Sequence, residues 1–176
     1  MIAELSVVWS QQRFCSKQTN PLGFPIQVVL GEHGITSIHL GAESTLFPTC
    51  QPSASSPPKS LIEAICCQLH EYCVGSRHTF ILPFTMSHHS LFSQRVYHVV
   101  SAIPYGHTMT YGEVAAHLGL PRAAQAVGRA LSHNPVPIII PCHRVIGRDG
   151  WIGGYSCGDG VATKRVLLEH ETKTLV

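Results

Sequence analysis

Residues 110–132, T-Y-G-E-V-A-A-H-L-G-L-P-R-A-A-Q-A-V-G-R-A-L-S, decide the fold of the second half of the chain. Thr110-Tyr111-Gly112-Glu113 is a capping-box sequence, which predicts the start of a short helix that ends at Gly119. Pro121 suits the first turn of a second helix over residues 122–132. Two short helices joined through Gly-Leu-Pro have the outline of a helix-turn-helix, although such pairs also occur in folds that do not bind DNA. The residues expected to face inward from the first helix are Val114, Ala115 and Leu118.

The first half of the chain has a different pattern, in which β-rich runs precede one helix. Residues 26–30 and 35–40 are separated by G-E-H-G, which predicts a β-hairpin. After a low-complexity loop at residues 52–60, Ser60-Leu61-Ile62-Glu63 is a second capping-box sequence, and apolar residues recur at helical spacing from Leu61 to Gly75. We therefore expect an N-terminal α/β domain made of a small antiparallel sheet plus a helix.

Residues 85–90 are polar and lack charged side chains, and they separate these two patterns. We place the domain boundary there, with an N-terminal α/β domain over residues 1–87 and a second domain over residues 88–176. Residues 92–103 follow with one apolar face and are closed by Pro104-Tyr105-Gly106, which predicts a helix. The expected C-terminal domain is mainly α, with a winged-helix-like helix-turn-helix.

Composition and charge exclude several classes of protein. The chain is 44% hydrophobic and 12% charged, which excludes extensive disorder. No apolar run approaches the length of a membrane span, and Glu4 with no basic residue before the first apolar patch does not suit a secretory signal, so we expect a cytoplasmic or nuclear protein without membrane association. The second half carries eight basic and five acidic residues, a mild excess that is compatible with a nucleic-acid surface but does not establish one.

Seven cysteines and twelve histidines raise the question of disulfides and metals. The cysteine count is odd, and the chain has no C-x-x-C, so a disulfide framework is not expected. His88 and His89 could ligate a metal with a distant cysteine such as Cys15, or they could lie in a surface turn.

Residues 134–147, N-P-V-P-I-I-I-P-C-H-R-V-I-G, are the most informative for chemistry. A buried cysteine is ordinarily a small inert hydrophobe, but Cys142 is followed by His143, which could accept the thiol proton directly or through one water. Because adjacent residues of an extended chain point opposite ways, the water relay is the easier of the two. Glu169 or Glu171 could supply a carboxylate that orients the imidazole.

The P-C-H-R-V-I-G stretch resembles the active-site signature of the O6-alkylguanine-DNA alkyltransferases, also called methylated-DNA–protein-cysteine methyltransferases. The resemblance is close over residues 92–171 and looser at Pro21-Leu22-Gly23 and over the helix that begins at Leu61. The flanking segments that match in order are Phe92 with Ile103-Pro104-Tyr105-Gly106, Thr110-Tyr111-Gly112-Glu113, Ala126-Val127-Gly128, Asn134-Pro135-Val136-Pro137, Gly154-Tyr155-Ser156 and Leu167-Leu168-Glu169-His170-Glu171.

The resemblance implies a DNA repair protein that transfers the alkyl group of O6-methylguanine in duplex DNA irreversibly to its own Cys142, after the base is flipped out. O4-methylthymine is a further candidate substrate. His143 would take the thiol proton through water, and Glu171 would orient His143. Asn134 would brace the turn before the site, and Tyr111 would help to rotate the phosphate and donate a hydrogen bond to the leaving guanine.

The same resemblance implies a monomer that uses no metal or organic cofactor and whose partner is double-stranded DNA carrying O6-alkylguanine. A damage-recognition DNA-binding module with weak or no transfer activity is the alternative. The expected DNA-binding residues are Thr110, Tyr111, Arg122, Ala123, Ala124, Gln125 and Gly128. The expected substrate pocket is lined by Val145, Tyr155 and Ser156.

The sequence departs from the family pattern at two places. Gln125 stands where the family has an arginine that fills the gap left by the extruded base; Arg122 could compensate from one turn back, whereas Arg129 points elsewhere. The longer segment Cys157-Gly158-Asp159-Gly160 replaces a Gly-Gly step and alters the rim of the pocket. Cys157 is either an innocuous small side chain or a second thiol that oxidises with Cys142.

Overall fold

The computed structural model describes residues 5–9, 12–15, 20–41, 57–86 and 88–175. The chain divides into two compact units, Met1–Thr85 and Met86–Val176. The boundary between independently folding domains that the sequence suggests after residue 87 stays a prediction. Residues 52–56 of the predicted loop lie outside the described residues. No helix in the described ranges is long and apolar enough to cross a membrane.

The first unit is built on a four-stranded sheet. Its strands are β1 (Leu5–Trp9), β2 (Gln12–Cys15), β3 (Ile26–Gly31) and β4 (Gly34–Leu40), in the spatial order β2-β1-β3-β4. The predicted hairpin is confirmed as the antiparallel pair of β3 and β4. The expectation of an antiparallel sheet is wrong for β1 and β3, which pair in parallel. The chain reverses after β1 and again after β2, so a third strand that adds to the free edge of β1 runs in the same direction as β1.

The helix of the first unit, α1 (Lys59–Cys73), confirms the predicted helix. Ile65, Leu69 and Tyr72 are buried on one face, as the helical spacing requires. The capping box predicted at residue 60 is wrong, because the N-cap is Pro58 and no side chain caps the helix. Ser60 therefore lies inside the first turn, where its hydroxyl is not placed as a cap.

The second unit is mainly helical. Its elements are α2 (Leu91–Ser101), β5 (Met109–Thr110), α3 (Tyr111–His117), α4 (Ala124–Leu131), β6 (Val145–Ile146) and α5 (Val161–Lys173). Strands β5 and β6 form a two-stranded parallel sheet. The predicted helix at residues 92–103 corresponds to α2, which Ser90 caps by accepting from the Ser93 N–H. Helices α3 and α4 form the predicted helix-turn-helix.

The ends of α3 and α4 show where local signals decide the fold. The capping box at Thr110 is confirmed: Thr110 Oγ1 accepts from the Glu113 N–H, and the Glu113 carboxylate accepts from the Thr110 N–H at 2.6 Å. The prediction that Pro121 occupies the first turn of the next helix is wrong. The Ala123 N–H donates to the Leu120 carbonyl at 2.8 Å and closes a separate turn, so α4 starts only at Ala124.

The buried face of α5 carries the charged groups of the site. Lys164, Leu167 and Glu171 recur at helical spacing and are fully buried. A helix that buries two charged side chains must supply each with partners, because an unpaired buried charge is costly. The partners of α5 therefore define the site.

The capping box at Thr110 is confirmed and the one at Ser60 is not, so alanine at these two positions is expected to change stability by different amounts. Thr110→Ala removes the cap of α3 and is expected to cost about 1 kcal/mol of unfolding free energy. Ser60→Ala is the matched control and is expected to change it by less than about 0.5 kcal/mol. Urea denaturation followed by circular dichroism measures both, and equal losses would contradict the assigned helix starts.

Candidate active site

Cys142 is held by the turn that precedes it. Asn134 spans this turn, because its Nδ2 donates to the Ile140 carbonyl at 2.8 Å and its Oδ1 accepts from the Val136 N–H at 3.1 Å. The Cys142 N–H in turn donates to the Ile140 carbonyl at 2.8 Å. The side chain of Cys142 is left 4% exposed.

The backbone at Cys142 and His143 is not extended, which corrects the expectation from sequence. Cys142–Arg144 form one turn of 3-10 helix, because the Arg144 N–H donates to the Pro141 carbonyl at 2.9 Å. The side chains of Cys142 and His143 are therefore not required to point in opposite directions, as they would in an extended chain. A water relay between Cys142 and His143 must be argued from the imidazole itself.

His143 and Glu171 form a fully buried pair, with His143 Nε2 2.7 Å from Glu171 Oε1. Of the two carboxylates that the sequence left open, Glu169 is exposed and lies 3.7 Å from Lys173 on its own helix. Sequence reasoning missed Arg144, whose Nε and Nη2 donate to the two oxygens of Glu171 at 2.9 and 3.0 Å. The Gly106 N–H donates to the same carboxylate at 3.0 Å.

The protonation of the pair follows from these contacts. Burial acts to raise the pKa of Glu171, but the hydrogen bonds and charges of His143 and Arg144 outweigh burial and hold that pKa well below its usual range. An ionised carboxylate only accepts, so His143 Nε2 carries the shared proton. Burial lowers the pKa of His143, and Glu171 opposes this only in part. The ring is therefore neutral, and its Nδ1 is unprotonated.

His143 Nδ1 is unusual in having no partner. Among the side chains that the structure describes, it is the only buried nitrogen or oxygen without a hydrogen-bond partner in the protein. Buried polar atoms are otherwise almost always paired, so this atom points to a role in binding or catalysis. Chemically it is a base in a buried position, one residue from a thiol.

The Cys142 thiol is protonated at rest. Its hydrogen bond to Cys157 and its own burial raise the pKa of Cys142 well above the usual value, and weaker contacts with Asn134 and Tyr155 oppose them. The Tyr155 hydroxyl oxygen lies 3.9 Å from Cys142 Sγ. A nucleophilic role for this sulfur therefore requires a base that takes the proton during the reaction.

A cleft of about 550 Å³ lies on the other side of Tyr155. Cys142 does not line this cleft but lies directly behind its wall, at the contact with Tyr155. Residues expected at the site that do line it are Tyr111, Ala124, Gln125, Gly128, Tyr155 and Ser156. Lining residues that sequence reasoning missed are Leu131, Ser132, Trp151 and Gly154. Trp151 is an exposed aromatic side chain, and this exposure has no sequence signal.

The remaining expected residues lie away from the cleft lining. Val145 is fully buried in β6 and does not line this cleft, so its place in the substrate pocket stays a prediction. Thr110 is the N-cap of α3, and Ala123 is the N-cap of α4. Arg122 is exposed in the turn before α4, outside the helical face on which the sequence placed it.

A second groove, of about 600 Å³, lies beside α4. Arg129, His88, His89 and His133 line it, and Gln125 borders both concavities. The side chain of Cys15, the third candidate metal ligand, lies outside the described residues. Among the described side chains, no group of three or more His, Cys, Asp or Glu could hold a metal ion.

Tyr111 and Lys164 form a further part of the site. The Tyr111 hydroxyl donates to the Gly154 carbonyl at 3.5 Å, and Lys164 Nζ lies 5.7 Å from the ring centroid. Lys164 Nζ also donates to the Val145 carbonyl at 2.6 Å, and burial lowers the pKa of Lys164 to about 8. Sequence reasoning missed Lys164, although its spacing from Glu171 places both on one face of α5.

Sequence comparison relates the chain to DNA repair methyltransferases. Residues 91–173 match the family described as 6-O-methylguanine DNA methyltransferase, DNA binding domain. A methylated-DNA–protein-cysteine methyltransferase of Mycobacterium tuberculosis is 39% identical over 154 residues, covering 86% of this chain and 88% of the relative. The constitutive methylated-DNA–protein-cysteine methyltransferase of Bacillus subtilis is 42% identical over 104 residues, covering 59% of this chain and 62% of the relative.

Solved structures agree with the sequence comparison. The crystal structure of Mycobacterium tuberculosis O6-methylguanine methyltransferase matches with a TM-score of 0.73 at 34% identity, covering 99% of this chain and 94% of that one. The crystal structure of Mycobacterium tuberculosis OGT in complex with DNA matches with a TM-score of 0.70 at 32% identity, covering 98% and 94%. The expected fold class is thereby confirmed, with a mixed sheet in place of an antiparallel one.

The buried carboxylate predicts how stability depends on pH. The pKa of Glu171 is lower in the folded protein than in the unfolded chain. As the pH drops below about 4.5, the ordinary pKa of a glutamate, the unfolded chain is therefore protonated at Glu171 while the folded protein is not, and the free energy of unfolding falls. Glu171→Gln removes this dependence and leaves Arg144 unpaired, at a cost of about 3–5 kcal/mol near neutral pH. Urea denaturation across this pH range measures both effects.

Glu169→Gln is the control for this experiment. Its carboxylate is exposed and contacts only Lys173 within a helical turn, so we expect a change below about 0.5 kcal/mol. Glu171→Gln and Glu169→Gln proteins of equal stability would contradict the assigned role of the buried pair.

Proposed function

Because the chain belongs to the methylated-DNA–protein-cysteine methyltransferase family, we propose that it transfers the alkyl group of O6-methylguanine in duplex DNA irreversibly to Cys142. It acts as a monomer, and the transfer needs no metal or organic cofactor. The observation that carries the proposal is the base next to this cysteine: a neutral, buried His143 with an unprotonated Nδ1, fixed by Glu171 through Nε2. A merely structural cysteine has no use for such a base.

The transfer is a displacement at the alkyl carbon. His143 Nδ1 takes the thiol proton through one water, and the Cys142 sulfur forms a bond to that carbon as the carbon–O6 bond breaks. The ionised Glu171 stabilises the imidazolium that forms. The electron pair of the broken bond goes to guanine, which becomes negatively charged. The Tyr111 hydroxyl stabilises this charge by donating a hydrogen bond to the guanine. Burial raises the pKa of Tyr111, so the hydroxyl keeps its proton for this purpose.

Each molecule acts once. The product at Cys142 is a thioether, which water and ordinary thiols do not cleave, so the site is not regenerated. The high pKa of the resting thiol suits this chemistry, since deprotonation is needed for a single event and only when a substrate is present.

Access to Cys142 requires the base to leave the duplex. We place DNA on α3 and α4, with the small residues Ala123, Ala124 and Gly128 allowing close approach to the minor groove. The flipped guanine enters the cleft beside α4, whose volume of about 550 Å³ lies within the range of small-molecule pockets. Tyr155 and Ser156 form part of its wall. The Ser156 hydroxyl is held by the Ser132 carbonyl at 2.9 Å.

Gln125 occupies the gap that the flipped base leaves. Its side chain is exposed on α4 and borders the cleft, so it can hydrogen-bond the orphaned base. It lacks the charge and the flat stacking surface of an arginine. Thr110 and Arg122, at the starts of the two helices, are placed to contact the DNA backbone.

Cys142→Ser is expected to abolish transfer and leave DNA binding intact. The measurement is the intact mass of the protein before and after incubation with duplex containing O6-methylguanine, where the unaltered protein gains one methylene mass. Cys67→Ser, at an exposed thiol in α1, is the control and keeps the mass gain. A Cys142→Ser protein that still removes methyl groups would overturn the assignment, and a wild-type protein that binds without gaining mass would favour the damage-recognition alternative.

Gln125→Arg is expected to tighten DNA binding and to speed single-turnover repair. One added cation at the DNA surface steepens the slope of log affinity against log salt concentration by about one. Gln125→Lys supplies the charge without the stacking plane, so it separates the two contributions. Fluorescence anisotropy at several salt concentrations and quenched-flow repair rates measure both, and unchanged values for Gln125→Arg would remove Gln125 from the interface.

A further inference from the structure

Cys157 is a second thiol at the site that the transfer does not use. Its side chain hydrogen-bonds with Cys142, and the Tyr155 hydroxyl contacts both sulfur atoms.

The backbone around Cys157 is built to hold it in place. Gly158 and Gly160 both have positive φ, of 57° and 64°, which a residue with a side chain adopts only under strain. The Gly160 N–H donates to the Cys157 carbonyl at 3.1 Å, and the Asp159 N–H donates to Thr163 Oγ1 at 2.9 Å. A Cβ at Gly158 would lie 2.5 Å from Thr163 Oγ1. The turn therefore restricts the backbone that directly follows Cys157.

The two thiols differ in exposure and in charge. Cys157 is partly exposed, whereas Cys142 is buried. The hydrogen bond from Cys142 lowers the pKa of Cys157 to about 7, while the same contact raises the pKa of Cys142. Cys157 is therefore the thiol that ionises more readily, and it is also the more exposed of the two. A small oxidant meets Cys157 first.

We propose that Cys142 and Cys157 form a reversible disulfide on contact with a hydroperoxide, which silences the alkyl acceptor and protects it from irreversible oxidation. Naming Cys142 as the acceptor rests on the proposed function, but the disulfide itself does not. The observation behind the proposal is two thiols that interact with each other and with Tyr155, the more exposed one directly before a turn of restricted backbone geometry.

The chemistry balances with hydrogen peroxide as the oxidant. The Cys157 thiolate attacks one peroxide oxygen, a sulfur–oxygen bond forms, the oxygen–oxygen bond breaks and hydroxide leaves. The Cys142 sulfur then attacks the sulfur of the Cys157 sulfenic acid, a sulfur–sulfur bond forms, and the oxygen leaves as water with the Cys142 proton. The two thiols lose two electrons, and the peroxide gains them. A dithiol such as dithiothreitol reverses the step by thiol–disulfide exchange.

The test exposes the purified full chain to about one equivalent of hydrogen peroxide, blocks the remaining thiols, and records intact mass and non-reducing peptide maps. We expect the loss of two hydrogen masses, a crosslink between the Cys142 and Cys157 peptides, and a loss of alkyl transfer that dithiothreitol restores to at least about 80%. Absence of the crosslink, or a crosslink between other cysteines, would overturn the proposal. If the protein transfers alkyl groups but does not form the Cys142–Cys157 crosslink, this inference alone is refuted. If it forms the crosslink but does not transfer alkyl groups, the proposed function alone is refuted.

Three variants sharpen the result. Cys157→Ser forms no crosslink, and excess peroxide is expected to drive its Cys142 past the sulfenic acid to the sulfinic acid, so dithiothreitol does not restore the activity that it loses. Cys142→Ser leaves the Cys157 sulfenic acid without a partner, so a dimedone adduct is expected at Cys157; an unlabelled Cys157 would contradict its place as the first thiol oxidised. Cys67→Ser is the control and keeps both the crosslink and the restoration. Circular dichroism establishes that each variant is folded.

Discussion

The site depends on one buried carboxylate, that of Glu171. It accepts from His143 Nε2, from two nitrogens of Arg144 and from the Gly106 N–H. Arg144 is satisfied further by the Ile103 carbonyl, to which its Nη1 donates at 2.7 Å. Burying charges is favourable only when every group is paired, and here the pairing joins α5, the turn at Cys142 and the segment after α2. The network therefore fixes His143 and Arg144, the two residues that follow Cys142.

The same network sets the chemistry. An ionised Glu171 fixes the proton of His143 on Nε2 and leaves Nδ1 as a base, while burial keeps the ring neutral until it accepts a proton. The Cys142 thiol stays protonated at rest because burial and Cys157 both disfavour its anion. A buried thiol that ionises only with help is poorly reactive toward chance electrophiles. The more exposed Cys157 ionises more readily, and this difference underlies the proposed disulfide.

The features of the fold and the site that could be predicted from the sequence are those that depend on neighbouring residues. The hairpin, the helices and the cap at Thr110 follow from patterns within a few residues, and the structure confirms them. The parallel pairing of β1 with β3 depends on which strand edge is free, which no local pattern encodes. Cys142 and His143 were found from the local sequence, and the family resemblance selected Glu171 over Glu169, whereas Arg144 and Lys164 were missed because charged residues are ordinarily expected at the surface. The contact between Cys142 and Cys157 joins two separate segments, which no local pattern encodes.

The central claim is that Glu171 holds His143 as a neutral base with its proton on Nε2. The most direct test is nitrogen-15 NMR of histidine-labelled protein near neutral pH, with His143 assigned by its loss in His143→Gln. The account predicts a neutral ring with a protonated Nε2 and an unprotonated Nδ1. A proton on Nδ1, or a doubly protonated ring at that pH, would contradict it.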